Sequence, residues 1–206
     1  MPIEPQNLSP VLQVKVSDLP HRALLVGDPA RAEAAARLLE QPQLLGKNRE
    51  YVTYRGMYAG MPVAVCSHGV GSAGASVCFT ELARAGVQVF LRAGTCGALQ
   101  KEIDDGSWLV GAAAVREDGT TDRLIPLAYP AYADSSLLLA LSAAAKRRDR
   151  PAYCGVILTQ SFLYPGLLPS GVDLWSRAGV LGVEMEYAAL LVIASLHGVR
   201  AAGIFT

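Results

Sequence analysis

The chain has 206 residues, of which 51% are apolar and 17% charged, a length typical of one domain with a substantial core. Its 18 Lys and Arg residues balance 18 Asp and Glu residues, so no broad electrostatic attraction to nucleic acid or to an acidic membrane is expected. A local cluster of positive charge could still bind a small anion.

The first twenty residues are rich in Pro and polar side chains and predict an N-terminal arm. They lack the basic and apolar regions of a signal peptide, and no stretch reaches about 18 uninterrupted apolar residues. The four cysteines and three histidines follow no zinc-binding spacing, so we expect reduced thiols and no metal. Together these features predict a cytoplasmic protein that does not span a membrane.

Strand-like and helix-like segments alternate along the chain, which predicts the α/β class. The strands are near-continuous apolar runs, as expected where helices cover both faces of a sheet. Asp28 and Pro29 suit the N-cap and first turn of the first helix. The predicted strands are residues 23–26, 51–58, 62–66, 87–91, 108–115, 154–158 and 200–205. The predicted helices are residues 30–40, 72–85, 134–148 and 186–197.

The chain stops on the apolar segment 200–205, whereas a central strand of an α/β sheet normally has a following element that covers it. We therefore expect a single domain over residues 1–206 that is truncated at its C-terminus.

Residues 68–76 read HGVGSAGAS, in which Gly69, Gly71 and Gly74 have the G-x-G-x-x-G spacing of a dinucleotide-binding turn. In that fold an acidic residue about 20 positions later holds the ribose 2′-hydroxyl. Gly94 stands there instead, and the strand end carries Arg92, which leaves only NADP open as a dinucleotide. The motif therefore favours a tight turn, or a close approach to another ligand, over a dehydrogenase.

Three predicted strand ends carry a glycine together with a basic or hydroxyl residue. Open α/β sheets bind ligands at the carboxyl ends of their strands, where helix N-termini favour negative charge. The forked guanidinium groups of Arg31 and Arg92 suit a tetrahedral oxyanion, and Thr95 adds a hydroxyl. With the backbone N–H of Gly27, this chemistry indicates free or small phosphate. The alternative is that both arginines are ordinary surface or salt-bridged residues.

Residues 182–187 read GVEMEY, in which Glu184 and Glu186 flank Met185 at the head of an apolar helical segment. A carboxylate near a helix N-terminus is often purely structural. A functional alternative is that a carboxylate accepts hydrogen bonds from two adjacent hydroxyls, as on a ribose, while Met185 lies against the apolar face of the sugar. The residues alone leave both interpretations open.

Five motifs in order resemble the nucleoside phosphorylase family, which includes uridine phosphorylase and the hexameric purine nucleoside phosphorylases. They are GDPARAE (27–33), NREY (48–51), SHGVGSAG (67–74), FLRAGTCGALQ (90–100) and GVEMEYAALL (182–191). The resemblance runs from about residue 11 to the end, and AAVREDG (113–119) is most similar to the purine enzymes of protozoan parasites. It implies a single-domain, three-layer α/β/α fold with a mixed central sheet.

The resemblance also implies a reaction, in which a nucleoside and inorganic phosphate give a free base and ribose 1-phosphate. Phosphate is then a co-substrate and no cofactor is needed. The family assembles as homo-oligomers, and we expect a hexamer built as a trimer of dimers. By position in the motifs, Gly27, Arg31, Arg92 and Thr95 would hold phosphate, together with Arg49 lent across the dimer. Met185 and Glu186 would hold the ribose, and Val70, Cys96, Gly97, Leu163, Val183 and Glu184 would line the base pocket.

Three departures from the family pattern refine this expectation. Leu167 and Leu168 replace the polar residues with which uridine phosphorylases read the pyrimidine, so we expect purine ribonucleosides such as inosine and guanosine. Val11 stands where the family has a histidine that reaches a neighbouring ribose, which would relax recognition of the 5′-hydroxyl. The catalytic general acid is expected just beyond Thr206. The alternatives are a uridine phosphorylase, a hydrolytic nucleosidase of the same fold and a non-catalytic nucleoside-binding protein.

Overall fold

Eleven strands form one mixed sheet in the computed structural model, which describes residues 2–4 and 6–206. The strands are β1 (Arg22–Val26), β2 (Glu40–Asn48), β3 (Tyr51–Tyr58), β4 (Met61–Ser67), β5 (Val89–Gly94), β6 (Gly97–Ala98), β7 (Trp108–Glu117), β8 (Ala131–Tyr132), β9 (Ala152–Gln160), β10 (Gly182–Glu184) and β11 (Arg200–Phe205). The helices are α1 (Pro29–Ala36), α2 (Ser72–Arg84), α3 (Ser135–Lys146), α4 (Val172–Arg177) and α5 (Tyr187–Leu196), with short 3₁₀ turns at Val16–Asp18 and Thr121–Arg123.

The strand order is β2-β3-β4-β1-β5-β11-β7-β9-β10-β6, and β8 pairs with β7 outside this path. Strands β4, β1, β5 and β11 are parallel neighbours, and β7 continues the sheet antiparallel to β11. Only two residues separate β5 from β6, yet β6 pairs with β10 at the far end of the order. The sheet therefore curls back on itself and carries the end of β10 to the end of β5.

Helices cover both faces of the sheet, as the α/β prediction required. Helices α2 and α5 contact each other, and the main core lies beneath them, around buried side chains such as Phe79 and Phe90. Helix α1 covers the opposite face over Val26 and Val65, whose side chains alternate with those that face α2. Within residues 2–4 and 6–206, no helix is both long enough and apolar enough to cross a membrane.

The structure corrects the predicted span of the first helix, residues 30–40. Asp28 caps α1 as expected, because its side chain accepts a hydrogen bond from Ala30 N, but the helix ends at Ala36. Residues from Glu40 onward instead pair with β3 as the edge strand β2. The sequence EQPQLLGKN gave no strand signal, because a mostly exposed edge strand that carries Pro42 lacks a buried face and its alternation.

Other elements were missed or displaced for similar reasons. The strand predicted at 87–91 runs from Val89 to Gly94, because Val87 N instead closes the end of α2 on Leu82 O. The elements absent from the prediction are the short ones, β6, β8, β10 and α4, which are too brief to show a period. The predicted N-terminal arm contains the 3₁₀ turn at Val16–Asp18, while Met1 and Pro5 lie outside the described residues.

The N-terminal segment is held against α2 by one buried carboxylate. Glu81 accepts hydrogen bonds from the backbone N–H groups of Val11 and Leu12 at 2.9–3.0 Å. Asn48 Nδ2 donates to Val11 O at 2.8 Å from the end of β2. Val11 is therefore fixed beside the turn that carries Arg49.

Two glycines make room for an aromatic ring at the centre of the sheet. Gly203 on β11 pairs directly with Gly111 on β7, and the ring of Tyr187 lies over both. The Tyr187 hydroxyl donates to Gly111 O at 2.6 Å, and the ring packs edge-on against Phe205. A Cβ added to Gly203 would lie 2.7 Å from Tyr187 Cε2. This glycine pair fixes the start of α5, which follows the GVEME segment.

We expect Gly203→Ala to lower the free energy of unfolding by about 1–3 kcal/mol, because the methyl group overlaps a fully buried ring. Urea denaturation measures the loss. Gly166→Ala is the matched control, since its added Cβ meets nothing within 4 Å, and it should stay within about 0.5 kcal/mol of the parent. Equal losses of unfolding free energy in the two variants would contradict the view that Gly203 leaves space for the ring of Tyr187.

Candidate functional site

The carboxyl ends of three adjacent parallel strands meet at one edge of the sheet. Gly27 follows β1, the glycine loop follows β4, and Arg92 lies near the end of β5. The curl of the sheet brings the GVEME segment to the same edge. Between them lies a cavity of about 700 Å³, the size of a small-molecule site.

Arg92 is the charged centre of this edge, and only 4% of its surface is exposed. Its Nη2 lies 3.0 Å from Glu184 Oε2 and 2.5 Å from Glu186 Oε2. Its Nε also donates to Glu184, at 3.3 Å. The salt bridge that the sequence left open as an alternative for Arg92 is therefore present, and it joins β5 to the GVEME segment.

The carboxylate of Glu184 is engaged in hydrogen bonds to other residues of the protein. Besides Arg92, its carboxylate accepts hydrogen bonds from Thr159 Oγ1 at 2.7 Å and from the backbone N–H groups of Glu186 and Tyr187 at 2.9 and 2.8 Å. Glu184 lines the cavity, and its place in a base pocket stays a prediction. Its oxygens, however, already hold β9, β10 and the first turn of α5 together.

His68 supports Arg92 from beneath the glycine loop. Its Nδ1 lies 2.9 Å from Gly69 O, and because a carbonyl only accepts, Nδ1 carries the proton. Its Nε2 therefore accepts from Arg92 Nη1, at 2.5 Å, while the ring packs edge-on against Phe79. Complete burial, and next the charge of Arg92, hold the pKa of His68 well below 6.5. His68 is thus a neutral acceptor.

The glycine loop approaches a protein carboxylate closely. Gly71 N donates to Glu186 Oε1 at 2.5 Å, and Ser72 Oγ donates to Met185 O at 2.8 Å. Gly69 and Gly71 both have positive φ, and a Cβ on Gly69 would lie 2.6 Å from Glu50 Cγ. The loop therefore serves as a tight turn that holds the GVEME segment.

The second carboxylate, Glu186, is the one that borders the cavity with fewer protein partners. It accepts from Arg92 and Gly71 alone among the described residues. Burial raises the pKa of Glu186, and Arg92 opposes that rise. The carboxylate can therefore accept further hydrogen bonds from a ligand in the cavity.

The structure brings almost all of the predicted site residues to the cavity. Arg31, Thr95, Val70 and Leu163 line it as exposed side chains. The other predicted residues that line it are Gly27, Arg92, Cys96, Gly97, Val183, Glu184, Met185 and Glu186.

Arg49 is the predicted residue that lies elsewhere. It is exposed in the β2–β3 turn with φ of 53°, and its neighbour Glu50 lines the cavity instead. Val11 is half-buried, packs against the core and lies outside the lining as well. These two residues share one region of the surface, since Asn48 binds the backbone of Val11.

Sequence reasoning missed several residues of the site. His68 stood within a quoted motif, but nothing in the spacing indicated that it contacts Arg92. Gln160 and Phe162 also line the cavity, and they lie at and just after the end of β9 in a segment without a recognisable motif. Their only signal was their place directly after a predicted strand, where ligands of α/β sheets bind.

The chain is similar to known proteins along almost its whole length. The profile described as "Phosphorylase superfamily" matches residues 21–206. A guanosine phosphorylase of Halorubrum lacusprofundi is 36% identical over 96% of this chain and 81% of its own. A uridine phosphorylase of Haemophilus influenzae is 38% identical over 87% and 76%, respectively. The crystal structure of purine nucleoside phosphorylase from Toxoplasma gondii in complex with immucillin-H superposes with a TM-score of 0.93 at 34% identity, over 99% of this chain and 83% of that one.

We expect stability to fall as the pH is lowered below 6.5, and His68 to contribute to that fall. The unfolded chain binds a proton at this position near pH 6.5, whereas the folded chain, with its lowered pKa, does not. Unfolding is therefore favoured as pH falls, by up to about 1.4 kcal/mol per pH unit. His68→Gln keeps an acceptor for Arg92 but cannot titrate in this range.

Urea denaturation of both proteins between about pH 5 and pH 7 measures the difference. The raised pKa of Glu186 changes stability in the opposite direction, because it makes stability fall as the pH rises above 4.5. This effect is common to both proteins. The parent should lose more stability than His68→Gln on acidification. Parallel pH profiles would contradict a neutral, buried His68.

Proposed function

The chain belongs to the phosphorylase superfamily, and we propose that within it the protein is a purine nucleoside phosphorylase. It would convert purine ribonucleosides such as inosine and guanosine, with inorganic phosphate, into free base and ribose 1-phosphate for purine salvage. The observation that carries this proposal is the cavity itself, in which arginine and hydroxyl side chains at the ends of β1 and β5 line the same space as the Met185–Glu186 pair. Side chains suited to phosphate and side chains suited to ribose thus line one cavity.

The phosphate would lie at the ends of β1 and β5. Arg92 makes four hydrogen bonds to Glu184, Glu186 and His68, so it has one of its five N–H donors left. Arg31 is exposed at the first turn of α1 and makes no side-chain hydrogen bond or salt bridge with residues 2–4 or 6–206, so its guanidinium can form a forked contact. Arg31 would therefore supply most of the direct contacts, with Gly27 N and Thr95, while Arg92 supplies fixed positive charge.

The ribose would lie over Met185, with its 2′- and 3′-hydroxyls donating to Glu186. Arg92 favours the ionised, hydrogen-bond-accepting form of this carboxylate against the effect of burial. Because Glu186 touches Arg92 directly, the sugar and the phosphate would be held by two ends of one ion pair. That connection fixes the distance between C1′ and the attacking oxygen.

Catalysis would then be mainly electrostatic. As the bond from C1′ to the base breaks, the sugar develops positive charge that an adjacent phosphate stabilises before capturing C1′. Arg92, which the fold holds in place, would supply positive charge to the phosphate without reorganisation during the reaction. The general acid that helps the base to leave is not assigned to any residue of 1–206 in this proposal. No cofactor takes part, since phosphate is the second substrate.

Purine specificity is the finer part of the proposal. The base would contact Val70, Cys96, Gly97, Leu163 and Val183, a mostly apolar wall that suits the face of a purine. Burial raises the pKa of the Cys96 thiol to about 11, so it stays protonated. Leu167 and Leu168, both exposed in the same loop, provide no polar group to read a pyrimidine. Uridine is the competing substrate, because the uridine phosphorylase of Haemophilus influenzae is about as similar to this chain, at 38% identity, as the guanosine phosphorylase is, at 36%.

We further propose a cytoplasmic homohexamer built as a trimer of dimers, with residues 1–206 as one catalytic domain. Arg49 is exposed and lies outside the cavity of its own chain, which suits a role in a partner's phosphate site. Val11 lies beside the same turn, so it would face the partner's ribose 5′-position and tolerate substituents there.

The test is hypoxanthine release from inosine with and without inorganic phosphate, with ribose 1-phosphate quantified and uridine run in parallel. Release that requires phosphate and yields the sugar phosphate is the expected result. Equal release without phosphate would mean a hydrolase, and faster turnover of uridine would mean a uridine phosphorylase. Binding without turnover of any nucleoside would leave a non-catalytic binding protein.

In the same assay, Arg31→Ala should raise the KM for phosphate about tenfold or more, because a charge-assisted contact to the anion is lost. Arg37→Ala is the matched control at the C-cap of the same helix, where the arginine is exposed and paired with Glu33. It should leave the KM for phosphate unchanged. An unchanged KM in Arg31→Ala would contradict the placement of phosphate at the end of β1.

A further inference from the structure

Gln160, the last residue of β9, has an unusual hydrogen-bonding state within the cavity wall. It is 8% exposed, and its Nε2 donates to Phe162 O at 2.9 Å. Its Oε1 is buried and accepts no hydrogen bond from residues 2–4 or 6–206. A buried carbonyl oxygen without a partner is unfavourable and rare in native proteins, so it calls for a functional explanation.

Few of the side chains closest to Gln160 in the chain and on the next strand could donate a hydrogen bond to its Oε1. Phe162 and Leu163 follow Gln160 closely in the chain, and Val183 lies on the neighbouring strand β10; all three line the cavity, and their side chains have no hydrogen-bond donor. The Cys96 thiol is only a weak donor. Gln160 itself lines the cavity, so a ligand there is the partner that Oε1 could gain by a turn of the Gln160 side chain toward the cavity.

The contact with Phe162 also fixes which end of the amide is free. Because the Phe162 carbonyl can only accept, the nitrogen of Gln160 must face it and the oxygen must be the unpaired atom. The nitrogen retains a second N–H for a further contact. The amide of Gln160 thus offers one free acceptor and one free donor, a pair that is complementary to a ring N–H next to a carbonyl.

We propose that Gln160 is a specificity-determining residue that accepts a hydrogen bond from N1–H of a 6-oxopurine, as in hypoxanthine and guanine. The proposal rests on the proposed function, because it places a purine base in this half of the cavity. Purine riboside, which has neither N1–H nor the 6-carbonyl, cannot make the contact. Gln160 supplies the polar recognition that the apolar wall around it lacks.

The experiment compares kcat/KM for inosine and for purine riboside in the parent protein and in Gln160→Met, which keeps the side-chain length without the amide. The ratio of inosine to purine riboside should fall about tenfold or more in the variant, because a site built to bond a polar substrate loses that preference. Turnover of purine riboside within about twofold of the parent shows that the variant is folded. Gln43→Met, at an exposed position on β2, controls for the substitution itself and should leave the ratio unchanged.

Equal losses for both substrates, or no change for either, would overturn the assignment while leaving the phosphorylase proposal standing. If the parent turns over neither nucleoside, the proposed function fails, and the binding of free hypoxanthine and free purine is measured by calorimetry. Weaker binding of hypoxanthine alone in Gln160→Met would still support the role of Gln160. Identical binding of both bases by the two proteins would overturn it.

Discussion

The burial of Arg92 is the constraint on which the rest of the site depends. A guanidinium taken out of water is tolerated only when carboxylates and further acceptors surround it. Glu184, Glu186 and His68 together meet that requirement. Two carboxylates exceed one guanidinium in charge, and the backbone N–H groups of Gly71, Glu186 and Tyr187 offset the difference. Moving any of these groups would leave a buried charge unpaired.

This constraint explains why the sheet has its unusual shape. Arg92 lies on β5 and Glu184 on β10, and three strands separate β5 from β10 in the sheet order, so the two residues meet only because the sheet curls. Because Gly111 and Gly203 have no Cβ atoms, the ring of Tyr187 fits against the sheet, and α5 begins there, directly after Glu186. The fold therefore places the Glu186 carboxylate and the Arg92 guanidinium side by side in the wall of the cavity.

The sequence predicted the parts of the fold with strong local signals. The apolar strands and the capped helix at Asp28 follow from burial and capping, and Arg31, Arg92 and Thr95 follow from the chemistry of strand ends. The remaining apolar residues of the cavity were predicted only through the resemblance to a family. The edge strand β2 was not predictable, because its side chains are mostly exposed and its stability comes from pairing with β3. Contacts such as His68 with Arg92, or the unpaired oxygen of Gln160, depend on tertiary geometry that no spacing reveals.

The most direct measurement of the central claim is a double-mutant cycle on Arg92 and Glu184, with Arg92→Met, Glu184→Gln and the double variant compared by urea denaturation. Each single substitution should cost about 3–5 kcal/mol, because it leaves a charge or a donor buried without its partner. The double variant should be more stable than the sum of the two losses implies, by about 1 kcal/mol or more. Strictly additive losses would show that the two residues act independently, and would contradict a site organised around their ion pair.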